Sequence, residues 1–376
     1  MSLHPIVGHG ELRGRLAAAV ASGRLSQSLL FRGPPGVGKQ RLALWLASVL
    51  QCEQGTGCGS CRSCRLAAGL QHPDIHWYFP IERPKRASAS KLREKLEEAR
   101  LAELAVRREK PLWRVADDAP TGIHLGTVEN LRQRATRRPA MGPRSIFVIG
   151  RAEQMVSQAA SQEAANAFLK LLEEPPPDVY LLLTSSRPGA LLPTVLSRVL
   201  SVRVLPLQDR EVTEFLETQG GASTDDAARA ARLAQGSIGR ALDVLGGEEA
   251  RYSDAERLLA AAVSGKRSDR FSYSLSLSSR GARGGFLSVL DAAGELLRDQ
   301  LALATGNENR VLDRERAVRL SRKPLDAGGL LAALESLEEA KQAASGNVNP
   351  QAVSAALLTG LAAALAPDGA RAPDRT

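Results

Sequence analysis

Long apolar runs are absent from this chain, and no stretch is unbroken enough to span a bilayer as a helix. The first residues, Met1-Ser2-Leu3-His4-Pro5, lack the basic start and apolar centre of a secretory leader, so a cytoplasmic protein with no membrane partner is expected. Aromatic residues are scarce, 4% of 376, which argues against gripping single-stranded nucleic acid by stacking on its bases. Cysteine is scarcer still: four residues, all confined to positions 52–64. Acidic residues number 41 against 50 Lys and Arg, and the net charge of +9 suits an anionic partner. A chain of this length exceeds one simple core, so two or three domains are expected.

What is present begins with Leu29-Leu30-Phe31, an apolar run that leads into Arg32-Gly-Pro-Pro-Gly-Val-Gly-Lys39-Gln40 and then into a helical pattern at Leu42, Ala43, Leu46, Ala47 and Leu50. This is a phosphate-binding loop. Gly33, Gly36 and Gly38 let the backbone curl so that N–H groups converge on one anion, and Lys39 adds a point charge. A working loop places Ser or Thr directly after the lysine as a ligand of Mg²⁺, and this chain has Gln40 there. The second half of such a site is missing too. Ser145-Ile-Phe-Val-Ile149 reads as a buried parallel strand, and at its end, where Asp and Glu would hold metal and polarise water, stand Gly150 and Arg151. Glu153 lies three residues beyond the strand and is expected to cap or face solvent on the following helix. Metal-dependent hydrolysis is not expected of this set; nucleotide binding at Gly33, Gly36, Gly38, Lys39 and Gln40 is expected to be weak or absent.

The cysteines follow at once as Cys52-x5-Cys58-x2-Cys61-x2-Cys64, interleaved with Gly55, Gly57 and Gly59. Four soft ligands brought this close suit tetrahedral Zn²⁺ in a structural role, since four protein ligands leave no open position. Paired disulfides are disfavoured in the cytoplasm, and the usual iron–sulfur spacings differ.

Further along, residues 5–25 predict an amphipathic helix and His72–Pro80 a strand. The Lys-, Arg- and Glu-rich stretch 83–114 predicts a solvated helix on a surface insertion, the alternative being a basic finger that touches DNA or a neighbouring subunit. Residues 124–137 predict a helix, as do 161–173, halted by Pro175, Pro176 and Pro177 before a strand at 179–184. The Ser-, Arg- and Gly-rich stretch 264–285 predicts an exposed loop, and the chain beyond Pro367 a disordered tail.

Four features occur in a set order: Gly33–Lys39, the cysteine module, Ala165-Asn-Ala-Phe-Leu-Lys-Leu-Leu-Glu-Glu-Pro-Pro176, and Leu191-Leu-Pro-Thr-Val-Leu-Ser-Arg198. Together they resemble the clamp-loader subunits of bacterial DNA polymerase III, of the AAA+ superfamily. The resemblance implies an α/β fold: a RecA-like parallel-sheet domain over 1–205 carrying the zinc module, a small helical lid over 206–248, and an all-α oligomerisation collar over 249–367. It implies a first sensor at Thr184, a second at Arg240, and an arginine finger at Arg198, in Ser197-Arg198-Val199, acting in trans on a neighbour's ATP. The alternative for Arg198 is a simple pair with a carboxylate. The losses at Gln40, Gly150 and Arg151 resemble the family's non-hydrolysing, stator branch rather than its motors. Implied partners are the gamma/tau and delta subunits, the sliding clamp and primed DNA. Two alternatives remain open: an active motor using Gln40 and Glu153 as unorthodox Mg²⁺ contacts, and a free-standing DNA-binding regulator using the basic insertion.

Overall fold

A computed structural model describes residues 3, 5–84, 89–112, 121–155, 162–246, 249–264, 266–277, 283–311, 313–320, 326–345 and 349–366. The chain divides into two compact units, one reaching to Leu245 and one from Gly246 onward.

The first unit runs α1 (Gly10–Ala21), β1 (Ser28–Arg32), α2 (Lys39–Gln51), α3 (Arg62–Ala68), β2 (Ile75–Tyr78), β3 (Ile81–Glu82), α4 (Ala89–Glu109), β4 (Thr121–Gly122), α5 (Leu125–Ala135), β5 (Ser145–Ile149), α6 (Gln162–Glu173), β6 (Val179–Ser185), α7 (Pro193–Leu196), β7 (Leu200–Arg203), α8 (Asp209–Thr218), α9 (Thr224–Ala234) and α10 (Ile238–Leu245). Five strands form one sheet in the order β2-β5-β6-β1-β7, every neighbouring pair parallel. Parallel strands need both faces covered, which is why β5 reads as an uninterrupted apolar run: Ile146, Phe147 and Val148 are fully buried. One face packs α2 with Leu42, Leu46 and Leu50, and the other packs α5 and α6 with Val128, Leu131 and Phe168. Helices α8 to α10 share a smaller core of Val212, Phe215, Leu216 and alanines of α9. The first helix is shorter than expected because Gly8 and His9 both hold left-handed backbone conformations just before it.

The stretch read as a solvated insertion departs from that reading on one face. Leu96 and Leu104 of α4 are buried, and so is Arg100, at 4% exposure. Arg100 donates to the Trp77 carbonyl at 3.0 Å and lies over the Tyr78 ring, while Glu97 pairs with it at 2.6 Å and with Arg134 at 2.9 Å. Burial opposes the charge on Glu97, yet the two arginines hold its carboxyl below the usual range. Helix α4 thus packs its buried face on the edge strand β2, where Arg107 also lies over Trp77 and Phe79.

The second unit is helical throughout its described residues: α11 (Glu249–Val263), α12 (Arg267–Ser276), α13 (Arg283–Ala304), α14 (Arg314–Leu320), α15 (Ala327–Ser345) and α16 (Pro350–Ala364). Leu290, Leu297, Leu330, Leu337, Leu358 and Leu361 are the centre of its core. Helix α12 overturns the expected loop at 264–285. Its composition is that of a loop, but Tyr273 and Ser274 are buried, and the Ser274 hydroxyl meets that of Ser354 on α16 at 3.3 Å. Tertiary packing overrides composition there. The expected tail at 368–376 lies outside the described residues. Among the described residues no helix is long and apolar enough to cross a membrane.

Candidate functional site

The loop between β1 and α2 sits at the C-terminal edge of the sheet, the edge at which ligands of open parallel sheets bind. Gly36 and Gly38 hold φ of 74° and 92°, the left-handed backbone that the reading of the loop requires. A side chain at Gly36 would also strike the Ser237 hydroxyl, 2.1 Å from an added Cβ. The N–H of Gly239 donates to the Gly36 carbonyl at 3.1 Å, so the start of α10, which carries Arg240, lies directly on the loop. The His9 ring bonds the Val37 carbonyl at 2.9 Å.

Lys39 is turned inward. At 7% exposure its ammonium donates to the carbonyls of Gly33 and Pro34, at 2.8 and 2.5 Å, and to the Ser186 hydroxyl at 2.8 Å. Burial lowers its pKa to about 8, against the upward pull of the Glu153 carboxylate. That carboxylate corrects the sequence reading: Glu153, expected at the surface, is 4% exposed on the 3-10 turn Ala152–Met155 and accepts the Ser186 N–H at 3.2 Å. Its second oxygen is buried without a hydrogen bond. A turn that tightens directly after β5 carries Glu153 back beneath the β6 end, a folding-back that linear distance from the strand does not reveal.

Of the three departures from a hydrolytic pattern, Gln40 and Gly150 lie against each other. The carboxamide oxygen of Gln40 accepts the Trp77 indole N–H at 3.1 Å, and a Cβ added at Gly150 would lie 2.5 Å from that oxygen. The amide therefore fills the space that a side chain at position 150 would need. Arg151 is exposed, in a left-handed conformation at φ 53°, and its N–H donates to the buried Thr184 hydroxyl at 3.1 Å. Gly33, Gly36, Gly38, Lys39, Gln40, Thr184 and the helix of Arg240 thus belong to one region. Ser186, Glu153, Trp77 and Ser237 join them. Of these, Glu153 had a signal in the sequence, as a contact in the motor alternative, and Ser186 follows directly on the polar end of β6 at Thr184 and Ser185. Arg198 makes its contacts elsewhere: an ion pair with Glu173 at 2.8 Å, and bonds to the Thr194 carbonyl and Ser197 hydroxyl at 3.0 and 3.1 Å.

At the far end of α2 the four cysteines converge. They are free thiols, and their sulfur atoms all lie within 4.8 Å of one another. Four sulfurs around one metal ion at about 2.3 Å would be about 3.8 Å apart, so small shifts close the set. The sulfurs already accept backbone N–H groups: Cys52 from Cys58, Cys58 from Cys61, and Cys61 from Cys64, at 3.4–3.5 Å. Burial pushes the Cys64 thiol up, whereas on Cys52 the N–H groups of Cys58, Gln54 and Thr56 overcome burial and draw it down. Such a donor set suits thiolates that hold a metal.

A parallel α/β sheet with a glycine-rich loop on its C-terminal edge defines the class: a P-loop protein. The model of the family described as DNA polymerase III, delta subunit matches residues 8–208, more than half the chain, and the chain belongs to that family. Among curated relatives, DNA polymerase III subunit delta' of Pseudomonas aeruginosa is 33% identical over 46% of this chain and 41% of its own length. The Escherichia coli protein of the same name is 28% identical over 62% and 59%. DNA polymerase III subunit tau of E. coli is also similar, at 28% over 56% of this chain and 27% of its own length. The chain spans about half the length of the delta' relatives it matches. A gamma-subunit-related protein of Thermotoga maritima superposes with a TM-score of 0.46 at 13% identity, covering 93% of this chain and 98% of that one.

Proposed function

We propose that this chain is a delta-prime-type stator of a DNA polymerase III clamp loader: it turns over no nucleotide, stands beside gamma/tau and delta subunits, and helps them open the sliding clamp and load it onto primed DNA. One observation carries the reading, the Gln40 carboxamide packed against Gly150. A hydrolytic site needs a short hydroxyl and a carboxylate at those two places to hold Mg²⁺. An amide in the gap between them and a residue without a side chain do not fit that ion. Lys39, bonded to its own loop and to Ser186, supports the same reading.

Arg198 in this reading leaves its pair with half-exposed Glu173 and supplies a guanidinium to the γ-phosphate held by the adjacent motor. An exposed pair of this kind is worth about 0–1 kcal/mol, so exchanging it for a phosphate is inexpensive. Cys52, Cys58, Cys61 and Cys64 would hold a structural zinc that cross-links the short loop ahead of α3. Glu153, a buried carboxylate facing Lys39 with one oxygen on the Ser186 N–H and the other without a hydrogen bond, is the observation that favours the competing reading of an active motor.

The test is ATP hydrolysis by the purified chain, with and without primed DNA, beside Lys39→Ala, followed by reconstitution with gamma/tau and delta subunits. The expected result is no turnover above the Lys39→Ala control, and a complex whose turnover falls when Arg198 is replaced by Ala while assembly is kept. Turnover by the chain alone that Lys39→Ala abolishes would make it a motor. Unchanged turnover in the Arg198→Ala complex would remove the finger.

A further inference from the structure

From Asn130 to Ala152 the chain has six arginines and not one acidic residue. The structure sorts them. Arg134 is paired with Glu97, Arg144 donates to the Leu50 carbonyl at 2.8 Å and lies near the Tyr180 ring, and Arg151 follows β5 at the loop-bearing edge of the sheet. Arg132, Arg137 and Arg138 make no ion pair among the described residues, and the last two are exposed. Arginines in the final turn of α5 complement the negative end of that helix, which accounts for Arg132 and Arg134. Arg137 and Arg138 lie beyond the cap at Thr136, and that account does not reach them.

The loop that carries them is built rather than slack. Asp74, 3% exposed, accepts the N–H groups of Ala140, Met141 and Gly142 at 2.5, 2.8 and 2.7 Å, and the Gln51 amide donates to the Arg144 carbonyl at 2.5 Å. This carboxylate is spent on the backbone and neutralises none of the arginines. Asp178, at the start of β6 on this edge, receives the Ser145 N–H on its backbone carbonyl, and Glu173 at the end of α6 is paired with Arg198. The loop enters β5 at its N-terminal end, so it occupies the edge of the sheet opposite the P-loop.

We infer that Arg137 and Arg138 form a phosphate-binding surface for double-stranded DNA on this opposite edge. Guanidinium groups match phosphate oxygens bidentately, and residues 130–146 contain no aromatic that could stack on a base, so the contact is to the backbone and independent of sequence. The choice of DNA over an acidic protein rests on the function proposed above.

The test is fluorescence anisotropy of a labelled primed template with the full chain at several salt concentrations, comparing Arg137→Gln/Arg138→Gln with a control pair, Arg210→Gln/Arg229→Gln, also exposed, on α8 and α9, the second of which pairs with Asp226. Unchanged thermal midpoints show that each pair folds. The loop pair is expected to bind about tenfold more weakly near 0.1 M salt, with a slope of log K against log salt shallower by about 1.8, and the control pair to stay within about twofold. Equal losses in both pairs would reduce the effect to net charge and overturn the inference, as would absence of DNA binding by the parent chain at low salt. Unchanged DNA binding with lost association to gamma/tau would assign the surface to an acidic protein partner instead. Failure of the parent chain to assemble with gamma/tau at all would be a separate result, against the stator reading and not against the surface.

Discussion

Gln40 and Gly150 occupy one volume between them, and each explains the other. Gly150→Asp alone places a Cβ 2.5 Å from the amide oxygen and is expected to cost about 1–3 kcal/mol by overpacking. Gln40→Ser alone leaves a gap and strips the Trp77 indole N–H of its acceptor, a loss of about 1–3 kcal/mol. Together the two changes relieve the clash, so the double variant is expected to be more stable than the sum of the single costs, by a coupling of about 1 kcal/mol or more in urea denaturation. Strict additivity would mean the two positions do not share space. Lys39 gives a second residue-level expectation. Burial lowers its pKa from 10.5 to about 8 in the folded chain, so between those values the unfolded chain holds more protons and stability rises with pH. The cost of burying the cation is present below the window and gone above it. In Lys39→Met that rise disappears, and the stability difference between parent and variant, followed from neutral pH to 10.5, moves toward the parent. A flat difference would contradict the burial of a charged amine.

At the scale of elements, α2 is a 13-residue rod, about 20 Å long, with the P-loop at one end and Cys52 at the other. The Cys61 sulfur accepts the Cys64 N–H as the cap of α3, so the metal set and the helix start are one structure. Native protein is expected to contain one zinc per chain. Removing it with a strong chelator, or substituting Cys58 and Cys61 by Ser, is expected to lower the melting temperature and the metal content together; zinc-free native protein of full stability would refute the site. These elements were legible because their signals are local: glycine spacing, thiol clustering, and apolar runs such as Ile146–Ile149. What escaped the reading depends on contacts distant in sequence. Arg100 looks like any solvated arginine until Trp77 and Tyr78 are beside it, Glu153 looks exposed until the chain turns back under Ser186, and α12 looks like a loop until Ser354 arrives. Polar residues buried by partners far along the chain leave no periodic trace.

At the scale of the whole molecule, the two units have separate cores, one built around a sheet and one wholly helical among the described residues. Calorimetric unfolding is accordingly expected to depart from a single two-state transition, with a van't Hoff enthalpy below the calorimetric one. Equality of the two would mean that the units unfold as one. The contact between Gln40 and Gly150 also bears on descent. A lineage carrying this pair cannot acquire an acidic side chain at position 150 in one step without a loss of stability, nor lose the Gln40 amide without stripping the Trp77 indole of its acceptor. Either change made alone gives a less stable chain than both made together, so the two positions act as a lock that opens only when both are turned at once.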